Sequence, residues 1–504
     1  MAVILRASKK GLEIVDQARR KKGWAVTASS WYGAANTSTA TLKRFRRGMP
    51  INQDAFVAIC KAVGIENWEE IVDNSSLLQT EARPEFFSYH DAPPLQTKFQ
   101  PEFFSYDDAW VGREQLVTEL NDKLRRSCRL LLILGLTGIG KTALAEKLAV
   151  ELQDWFGGDW KNRLRRVNFD NEDKTTDFAS VAARWLEEWG EKASPEEKTP
   201  ELLLYRLVKY LRENQILVLI DSLERLLTGN EEEGWGNFAD EWWEKFFLSI
   251  LSAESCRSRL IITSQDLPVK LVYLRYKNFW HRQILYGLTE SEQLALFETT
   301  GLDVSEDSPD RSLLLRIGKA YRGYPLVLRV IIGEILSEPF NGDVQAYWND
   351  ERENTSQKIE ELEKALAEAQ QGKILGEKDE WELHKLTRGM QNQVYKQRLQ
   401  IAFNRLARDV RDAYILICAT SVYRAPEKEE YWLKHLVHWV GRLEKQECSK
   451  ERQVRALEEL SNRFLIEESF NHNNKRVVGQ HNLIRSVAIE HRNQLLQTLK
   501  IGVI

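Results

Sequence analysis

The stretch Gly135-Leu-Thr-Gly-Ile-Gly-Lys-Thr142 constrains this chain more than any other. It follows the apolar run LLLILGL at 130–136 and leads directly into ALAEKLAVEL. A G-x-x-x-x-G-K-T spacing between a strand and a helix lets glycines curl backbone N–H groups around a phosphate, and the helix N-terminus adds a positive dipole. Lys141 is placed to reach terminal phosphates and Thr142 to hold Mg²⁺. Gly135, Thr137, Gly138, Ile139, Gly140 and Ala143 complete the expected cradle.

Such a loop belongs on a parallel sheet, and the neighbouring sequence supplies one. RVNF at 166–169, ILVLI at 216–220 and RLIIT at 259–263 are apolar on both faces, as buried parallel strands are, and helical stretches between them serve as crossovers. Residues 109–285 therefore read as an α/β domain. A phosphate loop needs an acid at the end of a neighbouring strand to organise Mg²⁺. Asp221 ends ILVLI and fits that role. Glu224, three residues on, stands either to orient or deprotonate a water or simply to cap a helix. Lys141, Asp221 and Glu224 are the expected catalytic set, with Thr142 and Asp221 the metal pair.

The remaining length sets the surroundings. A chain of 504 residues exceeds one ordinary core and predicts two to four domains. No run approaches the roughly 20 apolar residues of a membrane span, and the opening MAVILRASKK has too short an apolar core for a secretory signal. Five scattered cysteines without a C-x-x-C pair fit a reduced cytoplasm. His435 and His438 share helical spacing but lack an evident third ligand. The net charge of −4 hides a split: residues 1–64 hold twelve Lys/Arg against three Asp/Glu, so a head of +9 precedes a body of −13.

At Trp110-Val111-Gly112-Arg113-Glu114 the chain resembles the STAND NTPases, the group that contains the NB-ARC ATPases. Further pieces follow in that family's order: the phosphate loop, Asp221-Ser-Leu-Glu224, Ser258 to Gln265, Leu285 to Phe297, Gly323-Tyr-Pro325-Leu326, and Gln480-His481-Asn482 where the family's winged helix carries Met-His-Asp. The resemblance spans roughly 109–495. It implies Arg113 beside an adenine nucleotide, Pro325 packed on the adenine, and His481 on the β-phosphate of ADP. Gln265 stands where many relatives place a γ-phosphate-sensing arginine, which argues against efficient hydrolysis. Asn482 in place of Asp points to a looser ADP-locked state.

The basic head resembles a helix-turn-helix of the phage-repressor type. Gly11 to Lys22 and Ala28 to Ala35 form its first helices, and Ser38 caps a third that ends at Gly48. Trp31, Leu42 and Phe45 are expected to face a core, leaving Thr39, Thr41, Lys43, Arg44, Arg46 and Arg47 for solvent or DNA. A basic helical module that binds protein is the other reading. Between head and body PEFFSY occurs twice, at 84–89 and 101–106, either docking on the body or serving as a linker. The run EEEGWGNFADEWWEKFF at 231–247 reads equally as a covered helix or a protein-contact patch. Residues 351–371 form a charged helix with apolar Ile359, Leu362, Leu366 and Ala369, and FLIEESF-NHNNK-RVVGQHNLI predicts a closing hairpin.

The expected fold class is multidomain α/β and α. An all-α helix-turn-helix (1–75) and a linker (76–108) precede a parallel-sheet P-loop NTPase core (109–285). A helical domain (286–345), a charged helical connector (346–392) and a winged helix (393–504) follow. The expected function is an ADP/ATP-switched signalling ATPase with Mg²⁺, slow in any turnover. The expected partners are DNA through the head, a separate sensor protein, since these modules leave no room for a sensor, and a nucleotide-dependent homo-oligomer. A DNA-binding regulator with a vestigial nucleotide core, an NTP-gated scaffold and a remodelling ATPase machine are the alternatives.

Overall fold

A computed structural model describes residues 4–22, 24, 31, 34–35, 42, 45–46, 51–72, 110–156, 163–170, 176–191, 194, 198–230, 234–268, 271, 276–350, 352–371, 380–470 and 476–501. Thr39, Thr41, Lys43, Arg44, Arg47 and both PEFFSY copies lie outside these residues. The chain divides into two compact units, Met1–Lys98 and Phe99–Ile504.

In the first unit β1 (Ile4–Leu5) pairs antiparallel with β2 (Ile51–Asn52), and helices α1 (Lys9–Lys21) and α2 (Gln53–Ala62) pack beside them. The Ser8 hydroxyl caps α1 by accepting from the Gly11 N–H at 2.9 Å. A Cβ at Gly11 would lie 2.4 Å from the Ile71 carbonyl oxygen, so only glycine lets the helix approach that chain. Trp31, Leu42 and Phe45 are fully buried with Phe56 and Ile59, as their spacing predicts. Arg46, expected to be left for solvent or DNA, is not fully exposed. It is half-buried, and burial, with Arg19 adding, pushes its guanidinium down to about 10. Its place one residue after buried Phe45 keeps it at the rim of the core.

The second unit is built on a parallel five-stranded sheet in the order β4-β5-β8-β3-β9. Its strands are β3 (Leu130–Leu134), β4 (Leu164–Asn168), β5 (Leu217–Asp221), β8 (Arg259–Ser264) and β9 (Trp280–Ile284). All five β3 residues are buried, which contributes ~1.5–3 kcal/mol per side chain. They alternate, as strand geometry requires: Leu131 and Ile133 enter one core, Leu130, Leu132 and Leu134 the other. The first core packs against α3 (Glu114–Arg125) and α4 (Lys141–Glu151), the second against α5 (Phe178–Glu188) and α6 (Pro200–Glu213). Strand β9 has no counterpart among the predicted runs. Its sequence WHRQI is polar because it sits at an edge, with β3 as its one neighbour among the described strands.

A hairpin, β6 (Leu227–Asn230) with β7 (Gly234–Phe238), leads into α7 (Glu241–Ser252). Trp243, Phe246 and Phe247 of α7 are fully buried against the sheet, so this part of the aromatic run is a covered helix face. Asp240 caps that helix by accepting from the Trp242 N–H at 3.0 Å.

Four further helices follow: α8 (Glu290–Thr299), α9 (Pro309–Ala320), α10 (Pro325–Leu336) and α11 (Val344–Trp348). Helix α10 is apolar nearly all round because it lies between two cores. Leu328, Ile331 and Ile332 join the sheet-side core and Val330 the C-terminal one. Gly333 touches the backbone of Arg463, where a Cβ would lie 2.5 Å from the Arg463 Cα. Helix α12 (Thr355–Gln371) buries Ile359, while the side chains of Leu366 and Ala369 lie outside the described residues. Helix α13 (Glu380–Asp409) runs through the boundary expected at 392/393, since its apolar positions Leu399, Ala402, Phe403 and Leu406 continue the helical period.

Buried Glu334 on α10 holds α13 through two arginines. Arg398 donates to it at 2.5 Å and to the Tyr347 hydroxyl at 2.7 Å, and Arg405 bonds both Glu334 and, at 2.9 Å, Asp350. Beyond lie α14 (Arg411–Thr420), β10 (Glu427–Lys428), α15 (Glu429–Glu444), α16 (Lys450–Asn462), β11 (Glu467–Phe470), β12 (Arg476–Gly479) and α17 (Asn482–Ile501). Its strands form an antiparallel sheet in the order β10-β12-β11, with β11 and β12 as the hairpin expected at the C-terminus. No described helix is long and apolar enough to cross a membrane.

Candidate functional site

The loop after β3 turns at Gly138 (φ 86°) and Gly140 (φ 95°), left-handed positions that side-chain-bearing residues rarely adopt. Gly140 is also the N-cap of α4, so the loop delivers its backbone N–H groups at a helix N-terminus. Lys141 lies buried beneath the loop, its Nζ donating at 3.0 Å to the carbonyls of Gly135 and Leu136. Thr142 and Ala143 continue into the first turn of α4.

Asp221 ends β5 directly beside the loop. Its carboxylate accepts from the Thr142 hydroxyl at 2.9 and 3.1 Å, from the Thr263 hydroxyl, and from the Asn168 amide at 3.3 Å. Asn168 ends β4 and Thr263 stands near the end of β8, so sheet order alone assembles the cluster. Behind it Arg166 pairs with buried Glu146 at 2.6 Å and lies 3.8 Å from Asp221. Ser222 then adopts a left-handed φ of 64°, a strain of about 1–3 kcal/mol, and its N–H is held by Thr263 at 3.1 Å. That turn projects Glu224 from the 3-10 turn Leu223–Leu226 towards Gln265. Gln265 grips both oxygens of Glu224, through its N–H at 3.1 Å and its side-chain amide at 2.9 Å.

Arg113 approaches from the other side. Held at φ 64°, it donates its N–H to Glu292 at 2.6 Å, and its guanidinium reaches the carbonyls of Ile139 (3.0 Å) and Tyr286 (2.9 Å). Burial pushes this guanidinium down to about 10, against the opposing pull of Glu292. Glu292 belongs to the capping box of α8 with Thr289, which ties the Gly112-Arg113 turn to the helical layer. Pro325 opens α10, and the helix begins against the loop: a Cβ at Gly138 would lie 2.8 Å from both Leu326 and the Tyr324 hydroxyl.

His481 and Asn482 reach the same region from the C-terminal sheet. Asn482 donates to Asp170 at 2.8 Å, and Asp170 also accepts from Ser222 (2.6 Å) and Arg225 (2.6 Å). Burial pushes the His481 imidazole below its ordinary range. It feels the charges of Glu467, Lys141, Asp170 and Asp221.

The structure thus brings the loop, Asp221, Glu224, Gln265, Arg113, Pro325 and His481 into one neighbourhood. Among the described head residues Arg46 belongs to the other unit. Sequence reasoning gave no site role to Asn168, Thr263, Arg166, Glu146, Asp170 and Tyr324; polar residues at the ends of otherwise apolar strands were the available signal for the first two. The donor set fits a phosphate, and the Thr142–Asp221 pair of hard oxygens fits Mg²⁺.

Residues 124–266 match the family model described as AAA domain. An uncharacterized WD repeat-containing protein of Nostoc sp., alr2800, is 27% identical over 369 residues. The match covers 68% of this chain but only 28% of the relative's length. Among solved structures, Cdc6p from Pyrobaculum aerophilum is 11% identical with a TM-score of 0.29, covering 78% of this chain and 97% of that one. The Aeropyrum pernix ORC1 protein in complex with DNA is 14% identical with a TM-score of 0.30, covering 76% and 94%. Likeness at these scores bears on neither partner nor activity. The loop, the strand-end acid, the parallel sheet and the family match agree: residues 124–266 form an AAA-type P-loop NTPase domain, of a family that binds nucleotide and usually Mg²⁺.

Proposed function

We propose that the chain is a nucleotide-operated switch of the STAND/NB-ARC type, in which ADP favours a closed state and ATP an open, self-associating one. The observation that carries this reading is the reach of the C-terminal segment into the NTPase site. Asn482 is bonded to Asp170, which also accepts from Ser222 beside Asp221, and His481 feels the charge of Lys141. A contact of that kind lets the occupant of the loop bias the position of the C-terminal layer.

A bound nucleotide supplies the phosphates whose number distinguishes the two states. Lys141 and the loop N–H groups hold them, and Thr142 with Asp221 orients Mg²⁺. Arg113 and Pro325 flank the base, and His481 closes on the phosphate side. Gln265 keeps Glu224 engaged at both oxygens, so turnover is slow and serves as a timer. The C-terminal layer acts as a winged helix, and the head acts as a helix-turn-helix effector on DNA in transcriptional or defence signalling. Its excess of positive charge supports that role. The Nostoc relative is named for WD repeats, and a repeat surface of that class is the sensor we assign to this switch.

Purified full-length chain should release ADP on denaturation and elute as a larger species with a non-hydrolysable ATP analogue than with ADP. Lys141→Ala should abolish nucleotide retention. Absence of any adenine nucleotide binding, or a Lys141→Ala protein that binds as tightly as wild type, overturns the reading.

A further inference from the structure

Tyr324 lies at the junction of the phosphate loop and the helical layer, and its side chain is completely buried. Its ring stacks on Tyr395 of α13, with centroids 3.8 Å apart and planes 11° from parallel. Among the described residues its hydroxyl has no hydrogen-bond partner. Leaving a buried hydroxyl unpaired costs about 1–3 kcal/mol, and phenylalanine would fill the same space without that cost. The hydroxyl is aimed at the loop: it stands 2.8 Å from where a Cβ of Gly138 would be. Stacking on Tyr395 and anchorage one residue before α10 keep it from turning away.

The chemistry of the surroundings selects the missing partner. The loop presents backbone N–H groups, Lys141 an ammonium and Tyr324 a phenolic O–H, all donors. The carbonyls of Gly135 and Leu136 already accept from Lys141. Burial, reinforced by Tyr395, holds the phenol well above its usual range and therefore protonated. A donor beside the N–H groups of a phosphate loop is satisfied by an anionic oxygen.

We infer that the Tyr324 hydroxyl is a direct ligand of the nucleotide held by the 135–142 loop, donating to a phosphate oxygen. The assignment rests on the nucleotide-binding reading above. It makes α10 a participant in phosphate recognition, with the Tyr324–Tyr395 stack carrying that contact to α13.

The test is Tyr324→Phe in the full chain, with ADP affinity measured by titration calorimetry and thermal unfolding followed with and without ADP. Loss of one such hydrogen bond should weaken ADP binding roughly tenfold. The nucleotide-free protein should unfold at the same temperature as wild type or higher, because an unpaired hydroxyl has been removed, and the stabilisation by ADP should shrink. Equal ADP affinity in variant and wild type overturns the assignment. So does a lower unfolding temperature of the nucleotide-free variant, which would show that the hydroxyl already had a partner. Titration with 2′-deoxy-ADP separates the sources: if the difference between wild type and variant disappears with that probe, the partner is the ribose and the phosphate assignment fails. Wild-type protein that binds no ADP sinks the nucleotide reading itself, a result distinct from equal binding by both proteins.

Discussion

Asp221 and Glu334 are both carboxylates with about 5% of their surface exposed, yet they are satisfied in opposite ways. Glu334 sits between the guanidinium groups of Arg398 and Arg405, with Arg405 tied onward to Asp350. Burial alone would raise its pKa, but Arg398 and Arg405 together bring it below the ordinary carboxylate value. Asp221 is bonded chiefly by hydroxyls and an amide, from Thr142, Thr263 and Asn168, with Arg166 at the edge of ion-pair range. Neutral donors can rotate away when a cation arrives; paired guanidiniums cannot. The same residue class thus serves as a fixed cross-link in one place and as an exchangeable site in the other.

The sharpest way to break this contrast is Glu334→Ala. Removing the acid takes the carboxylate from buried Arg398, leaves Arg405 with Asp350, and should destabilise the chain by ~3–5 kcal/mol, read as a fall in thermal unfolding temperature. The pH dependence has a definite sign. Because the folded pKa of Glu334 is depressed, its contribution is complete above the ordinary value of 4.5 and drains away as the pH falls through the folded value. Wild type and variant should therefore converge in stability as the solution is acidified below that range. A gap that widens instead would mean that the cluster does not act as an ion pair.

Asp221→Asn probes the other member. It should cost only about 1 kcal/mol of stability, since Asn can still accept from Thr142, yet Mg²⁺ should no longer tighten ADP binding. Calorimetric titrations with and without Mg²⁺ give the answer, and a destabilisation as large as that of Glu334→Ala would erase the distinction. The smallest effect is expected for Gln265→Ala, which frees Glu224: single-turnover phosphate release should rise about threefold, the scale of one modest hydrogen bond. A fall would make Gln265 an aligner of Glu224 and not a restraint on it.

What could be read from the chain follows the range of the forces involved. The glycine spacing of the loop is a local backbone requirement, and Asp221 follows from the length of one apolar run, so both were visible before any fold was known. Asn168, Thr263, Arg166 and Glu146 come together only through the β4-β5-β8-β3 order, which no single segment encodes. Strand β9 escaped because an edge position relaxes the demand for apolar side chains. The aromatic run around Trp243 was ambiguous because its burial depends on which face of the sheet receives α7. Arg46 was left by helical periodicity for solvent or DNA, whereas it is half-buried and lines a pocket with residues of α1. Tyr324 was legible as part of Gly-Tyr-Pro but not the direction of its hydroxyl.

The meeting of Gly333 with the Arg463 backbone has a mechanical consequence. With no side chain between them, the two chains touch at a clearance smaller than a methyl group. A plane of contact padded by side chains lets layers creep past each other as rotamers give way. Bare backbone against bare backbone cannot yield in that manner, so lateral creep of α10 across the end of α16 meets a hard stop. Gly333→Ala would act as a wedge between α10 and the C-terminal layer.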